Sequence, residues 1–247
     1  MKKSLARKLS VFFAGIVFIT CLVLVGLTVM IFGNIEDRMK DVLYENTLQS
    51  YKTEVKSEVQ SAISSIEYYY NLSDSGKIDE ATAKKDALEA LRNLRYGDDD
   101  SGYFWVDDTD YNLVMHPILP EQEGTNRYDL TDKNGVKIIQ SIMKTAESGG
   151  GFNEFYFTKS DGKTVAPKVA YSQKFDKWNW VITTGIYSDD IHEIVNKSDG
   201  LRRIVKIFNG SANFLIVVGI VLVLVMLVIS YVIIKRLVKV IEKVRSK

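Results

Sequence analysis

The chain is poor in residues that build covalent or metal frameworks. Its one cysteine, Cys21, lies inside an apolar run. A disulfide framework and a thiolate metal site are excluded on that count. The two histidines, His116 and His192, are far apart in sequence, and an imidazole metal centre would need more. No metal and no cofactor are expected. Net charge is almost absent too: 32 Lys and Arg stand against 31 Asp and Glu. A nucleic-acid partner, which calls for a basic patch, is not expected. Catalytic signatures are also missing. No serine stands in a Gly-x-Ser-x-Gly elbow. Gly149-Gly150-Gly151 lacks the Lys-Ser/Thr of a phosphate loop and leads into strand-like sequence. The chain is expected not to be an enzyme.

What it does have is two uncharged apolar runs, 23 residues from Val11 to Gly33 and 28 from Ile207 to Ile234. Each passes the roughly 18-residue threshold for a membrane span. Lys2, Lys3, Arg7 and Lys8 precede the first run without an acid, and six basic residues from Lys235 to Lys247 follow the second against Glu242. Short basic flanks place both termini in the cytoplasm. The rest holds 22 Lys and Arg against 30 Asp and Glu, an acidic segment consistent with export. The first run is longer than the roughly 7–15 residues of a signal-peptide core, and no small-x-small site follows it. It reads as an uncleaved anchor.

The expected division is a cytoplasmic N-terminus (1–10), a first span (11–33), an exported domain (34–191), an exit helix (192–212), a second span (213–234) and a cytoplasmic stub (235–247). The 179 residues from 34 to 212 suit one domain. A multi-span transporter does not fit, and the stub leaves no room for a cytoplasmic signalling domain. The chain is read as the sensing part of a truncated receptor, or as a stand-alone protein acting through another.

From Glu36 to Tyr70 there is no proline or glycine, and apolar or large residues recur at Ile35, Met39, Val42, Tyr51, Val55, Val59, Ala62, Ile66 and Tyr70. Steps near three, four and seven predict one long amphipathic helix continuing out of the membrane. At helical rise it is about 50 Å long. Part of it should pack on a partner chain or serve as a spine. Asn71 to Gly76 breaks it, and a second helix follows from Asp79 to about Leu94, with Leu88, Leu91 and Leu94 on one side.

The period then shortens. Segments 102–106 and 112–116 read as a hairpin, 135–147 as a short helix, 152–158 and 163–171 as a hairpin around Asp161-Gly162, and 180–187 as a last strand. Ser188-Asp189-Asp190 can cap a helix leading to the second span. The fold class is α+β.

An even-numbered first hairpin loop centred on Thr109-Asp110 would pair Trp105 with Val114 and Tyr103 with His116. Alternation then puts Phe104, Val106, Leu113 and Met115 on a core face, and Tyr103, Trp105, Val114 and His116 on a face with polar tips. That second face suits a small polar ligand. Just upstream, Arg95 offers a bidentate fork for a carboxylate, or caps the helix end. Asp107, Asp108, Asp110 and Asn112 begin like a calcium loop, but Leu113 stands where glycine is needed and Leu119 where glutamate is needed. They read as a polar turn, and the Asp98-Asp99-Asp100 run as a solvated loop.

Taken in order, Arg95-Tyr96-Gly97, Gly102-Tyr103-Phe104-Trp105-Val106, Met115-His116-Pro117, Gly162, Pro167-Lys168 with Tyr171, and the run from Trp178 to Ile191 resemble the single Cache domain of bacterial methyl-accepting chemotaxis receptors and sensor histidine kinases. The resemblance covers roughly Glu36 to Ile191. It implies a long N-terminal helix packed on a PAS-like antiparallel sheet between two transmembrane helices. It implies an extracytoplasmic sensor of a small organic ligand, often a short carboxylate, working as a dimer on a chemotaxis or kinase partner. By the same resemblance the pocket would draw on Arg95, Tyr103, Trp105, His116, Lys168 and Tyr171, with Arg95 and Lys168 holding the carboxylate. Lys168 and Tyr171 are three apart, which on an ideal strand points them to opposite faces. The stub would be the start of a HAMP helix. A competing reading is a bitopic interaction protein whose exported domain binds protein, with that aromatic face packed shut.

Overall fold

The computed structural model describes residues 2–97, 100–159 and 161–245. Asp98 and Asp99 of the acidic run, and the last two residues of the expected stub, lie outside the described residues. The chain divides into two compact units, Met1–Val42 with Asn196–Lys247, and Leu43–Val195.

The elements run α1 (Lys2–Asp74), α2 (Glu80–Asn93), β1 (Trp105–Asp108), β2 (Leu113–Met115), a 3-10 turn (Pro120–Gln122), α3 (Ile138–Glu147), β3 (Gly151–Thr158), β4 (Val165–Phe175), β5 (Trp180–Tyr187), α4 (Ser188–Lys197) and α5 (Asp199–Arg245). In the first unit, α1 and α5 each contain a stretch long and apolar enough to cross a membrane, with no part of it buried. The helix expected from Ser188 into the second apolar run is two helices, α4 and α5, with Ser198 between them.

In the second unit, five antiparallel strands form one sheet in the order β2-β1-β5-β4-β3. On one face lie α1 and α2. Val55, Val59, Ala62 and Ile66 of α1 are fully buried, at the alternating steps of four and three that keep one helical stripe on the sheet. They pack with Ala83, Ala87 and Leu91 of α2, with Phe104 just before β1, and with Val106, Met115, Tyr171, Phe175 and Ile182 of the strands. The Asp79 carboxylate caps α2 by accepting from the Thr82 N–H at 2.9 Å. Leu94, expected on the buried side of α2, follows its last turn and is exposed. On the other face, α3 lays Ile138, Ile139, Ile142, Met143 and Ala146 against Tyr103, Trp105, Leu113, Phe155, Phe157, Ala170 and Val181.

The β3–β4 hairpin has the expected centre, with Thr158 opposite Val165 and Gly162 in the left-handed region at φ +69°. The β1–β2 hairpin differs from expectation. Val106 faces Met115 and Asp107 faces Leu113, so Val114 is bulged out of the ladder. The cause is a three-residue loop: Asp108 donates its N–H to the Asn112 carbonyl, and Tyr111 takes φ +69°. The shift exchanges two residues between faces. Leu113 joins the α3 side, and Val114 packs toward α1. Where β4 crosses β5, a Cβ on Gly185 would lie 2.4 Å from the Val169 carbonyl oxygen and 2.7 Å from the Ala170 Cα. Only glycine permits that approach.

Candidate functional site

The α3 face of the sheet carries the most unusual chemistry in the second unit. Lys168, on β4, is 1% exposed. Its ammonium donates to the Tyr103 hydroxyl at 3.0 Å and the Tyr187 hydroxyl at 3.3 Å. Around it stand the rings of Tyr103, Tyr187, Trp105 and Phe157, with centroids at 4.2, 4.6, 5.0 and 5.7 Å. Ring faces attract a cation, and they offset part of its desolvation. No carboxylate pairs with Lys168 among the described residues. Burial therefore lowers its pKa, opposed by the Tyr103 hydroxyl. Tyr187 donates its hydroxyl proton to the Thr158 carbonyl, and burial raises its pKa.

His116 follows β2 and lies opposite this group, its ring 5.4 Å from Tyr103 and 5.9 Å from Trp105. It is fully buried. Its Nδ1 accepts the backbone N–H groups of Ile118 and Leu119, both at 3.1 Å. A nitrogen accepting two N–H bonds carries no proton, so the ring proton is on Nε2. Burial first, and then the charges of Arg127, Lys168 and Arg92, lower the His116 pKa to about 2. The ring is neutral at any ordinary pH. Its Nε2 is buried without a hydrogen-bond partner among the described residues.

A third buried group was not expected from sequence. Asp107 is fully buried and Arg127 is 4% exposed, and they form an ion pair through Arg127 Nε and Nη2. The other Asp107 oxygen accepts the Trp105 indole N–H at 3.1 Å. Burial pushes the Asp107 carboxyl up, against the pull of Arg127. Every partner of the carboxyl is a donor, so the ionised form is the one that fits. Arg127 Nη1 is buried and unpaired among the described residues. The sequence reading that put Asp107 in a polar turn is corrected here: the turn is served by Asp108, which accepts from Asp110 N, Asn112 N and the Asn112 side-chain amide.

Of the six residues expected in the pocket, Tyr103, Trp105, His116 and Lys168 come together. Arg95 is engaged elsewhere. Its Nη1 donates to the carbonyls of Arg92 and Leu94, at 2.8 and 2.9 Å, and so caps α2. Tyr171 is on the opposite face, against Phe152 and the α1 side, with its hydroxyl on Gln173. The parity of a regular strand separates it from Lys168. Arg127, Tyr187, Asp107 and Phe157 were missed. Lys168 and Tyr187 pair directly across β4 and β5, a register that no local pattern reveals. Arg127 is in an irregular connection that has no period.

The segment holding His116 in place is itself tied down. Glu123 accepts the His116 N–H at 2.8 Å and takes a bidentate fork from Arg92 at 2.7 and 2.9 Å. Burial raises the Glu123 pKa, but the bonds from Arg92 and the His116 N–H outweigh it, and the net shift is downward.

The family model for single Cache domain 2 matches residues 47–199. The sensor histidine kinase MctS of Rhizobium johnstonii is 33% identical over 175 residues, 70% of this chain and 37% of that protein. A solved periplasmic sensor domain of a chemotaxis protein is 32% identical with a TM-score of 0.55, covering 57% of this chain and 96% of that one. A Cache chemosensory domain solved for its recognition of carboxylic acids is 26% identical, also with a TM-score of 0.55, covering 58% and 97%. The chain spans about a third of the length of the curated relatives it matches.

Proposed function

This chain belongs to the single Cache domain 2 family, and we propose that it is the membrane-anchored extracytoplasmic sensor of a short organic carboxylate. The observation that carries the reading is the buried, uncompensated Lys168 ammonium beside an unspent His116 Nε2 proton. A buried cation without a counter-ion is costly, and an anion that reaches it removes that cost. Lys168 would hold the carboxylate, His116 would donate to it, and Tyr103 and Trp105 would form the walls. The carboxylic-acid recognition of a relative with the same fold supports the same ligand class. The site performs no bond chemistry in this reading.

Residues 11–33 and 213–234 would be the spans, with 1–10 and 235–247 in the cytoplasm and 34–191 outside. The protein would work as a homodimer and pass its signal through 192–212 and the spans to a chemotaxis or kinase partner in the cytoplasm. A ligand preferring one state tenfold shifts the balance by about 1.4 kcal/mol. Calorimetry of the full chain in detergent, titrated with acetate, propionate and pyruvate, tests the ligand class. Saturable binding of at least one is expected. A folded chain that binds none of them would overturn the reading.

A further inference from the structure

A cleft lies in the first unit, between the part of α1 that leaves the first apolar run and the part of α5 that enters the second. Its volume is about 680 Å³, and Glu36, Lys40, Arg202, Lys206, Gly210 and Asn213 are among the residues lining it. One turn back along α1, Phe32 meets Phe208 of α5 with ring centroids 5.7 Å apart, and so joins the two helices beside the cleft. A Cβ on Gly210 would meet nothing within 4 Å, so that wall stands clear. The charge here runs against its surroundings. Residues 34–212 hold 22 Lys and Arg against 30 Asp and Glu, yet 197–206 holds Lys197, Arg202, Arg203 and Lys206 against Asp199 alone. In the cleft, Lys40 satisfies Glu36 at 2.7 Å. Arg202 bonds the Lys197 carbonyl and stands 3.7 Å from Asp199, with both side chains mostly exposed. An exposed pair at that distance is weak. Lys206 is exposed and makes no ion pair among the described residues. Two cations are left to attract an anion.

We propose that this cleft holds the phosphate of an anionic phospholipid of the phosphatidylglycerol type in the extracytoplasmic leaflet, an inference that rests on the two-span reading above. Depth selects the anion. At a helical rise of about 1.5 Å, Lys40 lies about 10 Å beyond Gly33, and Lys206 about 10 Å before Asn213, where the apolar spans end. The headgroup layer is about 5–8 Å thick on each side of the hydrocarbon. Long basic side chains lay their stems along apolar surface and reach that layer with their charge. A phosphodiester offers one negative charge and two free acceptor oxygens to Arg202 and Lys206. An ethanolamine or choline headgroup carries its own ammonium into the same cationic cleft, so an anionic lipid is preferred. Each basic group near an anionic surface multiplies the affinity about fivefold. A phosphate reached from Lys40 on α1 and from Arg202 and Lys206 on α5 would join the helix that enters the sensor domain to the helix that leaves it.

The test uses the full chain in phosphatidylcholine liposomes with a trace of phosphatidylglycerol that carries a diazirine in its headgroup. Illumination and peptide mapping should place crosslinks in 36–40 and 202–213. Unlabelled phosphatidylglycerol should suppress them about tenfold more effectively than phosphatidylethanolamine, the effect expected from two cations. Crosslinks confined to the basic flanks 1–10 and 235–247, or equal competition by the two lipids, would overturn the proposal. Glycerol 3-phosphate presents the phosphate without acyl chains and should not compete. Competition by it at the same concentration would make the cleft a site for soluble phosphate esters and overturn the lipid assignment. Arg202→Gln combined with Lys206→Gln alters exposed side chains only and should lower the crosslinking at 36–40 about tenfold. An unchanged yield would overturn the role of both cations. Carbonate extraction of the same liposomes tests the two-span reading separately. A chain that washes off would overturn that reading and this proposal together, and one that stays but shows no lipid preference would overturn this proposal alone.

Discussion

The Lys168 ammonium donates to the Tyr187 hydroxyl at 3.3 Å, and Tyr187 is the last residue of β5 before α4 begins at Ser188. The proposed anion-holding group is thus bonded to the residue from which the outgoing helix starts. A second tie runs alongside. Lys159 lies over the Tyr187 ring and bonds Asp189 and Asp190 of the first α4 turn at 2.9 and 2.6 Å. An anion would take the third Lys168 proton and, by drawing the ammonium toward itself, stretch its long bond to Tyr187. The bond that slackens is then the one at the start of α4.

Tyr187→Phe should therefore separate binding from its consequence. Pyruvate affinity is expected to hold or tighten, because the charge-assisted bond from the Lys168 ammonium, about 1.5–3 kcal/mol in the free domain, no longer has to be stretched for the anion. Ligand-induced changes in amide exchange across residues 188–197 are expected in the parent and should shrink markedly in the variant. Equal changes in both proteins would show that Tyr187 is not the link.

Lys168→Met should stabilise the domain while abolishing its response. Methionine matches the length of the lysine stem and has no charge to desolvate. A gain of about 1–2 kcal/mol, a few degrees in Tm, is expected without ligand. Carboxylates should then give no further rise. The parent carries a pH signature of the same charge. With the Lys168 pKa lowered in the fold, the unfolded chain binds more protons between that value and 10.5. Stability of the parent should rise with pH in that window, and the variant should lack that rise. A variant that melts lower and still binds would contradict the assignment.

How far the sequence reached depends on the range of each interaction. The spine helix was legible because 36–70 lacks proline and glycine and repeats apolar residues at helical steps. The second hairpin was legible because Asp161-Gly162 is a local turn signal that also sets the register. The first hairpin was not, because its loop length turned on Tyr111 adopting a left-handed conformation. Arg95 is drawn away from the group around Lys168 for a local reason: its Nη1 bonds the carbonyls of Arg92 and Leu94 at the end of α2. Tyr171 was misplaced although parity argued against it. Arg127 and Tyr187 needed contacts across the sheet and into an irregular segment, where sequence carries no period.

Gly185→Ala should be severely destabilising. The added methyl would meet the Val169 carbonyl and the Ala170 Cα, both backbone atoms that cannot rotate away. Overpacking of this kind typically costs about 1–3 kcal/mol, and a strand that must shift raises the figure. Gly162→Ala would be milder, since nothing lies within 4 Å and only the positive φ is strained. Chemical denaturation of the two variants should rank them in that order. The reverse order would mean that β4 and β5 do not approach as closely as the structure has them.

His116 should make the protein acid-sensitive through the fold and not through its ligand. In the unfolded chain the imidazole takes a proton near pH 6.5, while in the folded protein burial and the cations beside it hold that step down to about 2. Between those values the unfolded state binds the extra proton, so stability is fully present above pH 6.5 and is lost as pH falls. One proton corresponds to about 1.4 kcal/mol per pH unit, or about 2 kcal/mol from pH 6.5 to 5. His116→Asn keeps an acceptor for Ile118 and Leu119 but has no proton to gain, so its stability should fall less over that interval. His116 should add nothing to the pH dependence of pyruvate affinity of the folded parent from pH 8 to 5, because its Nε2 donor is present throughout; any dependence should follow Lys168, whose pKa burial lowers. Parallel stability curves for parent and variant, or an imidazole seen to titrate above pH 5 in the folded protein, would refute the buried neutral His116.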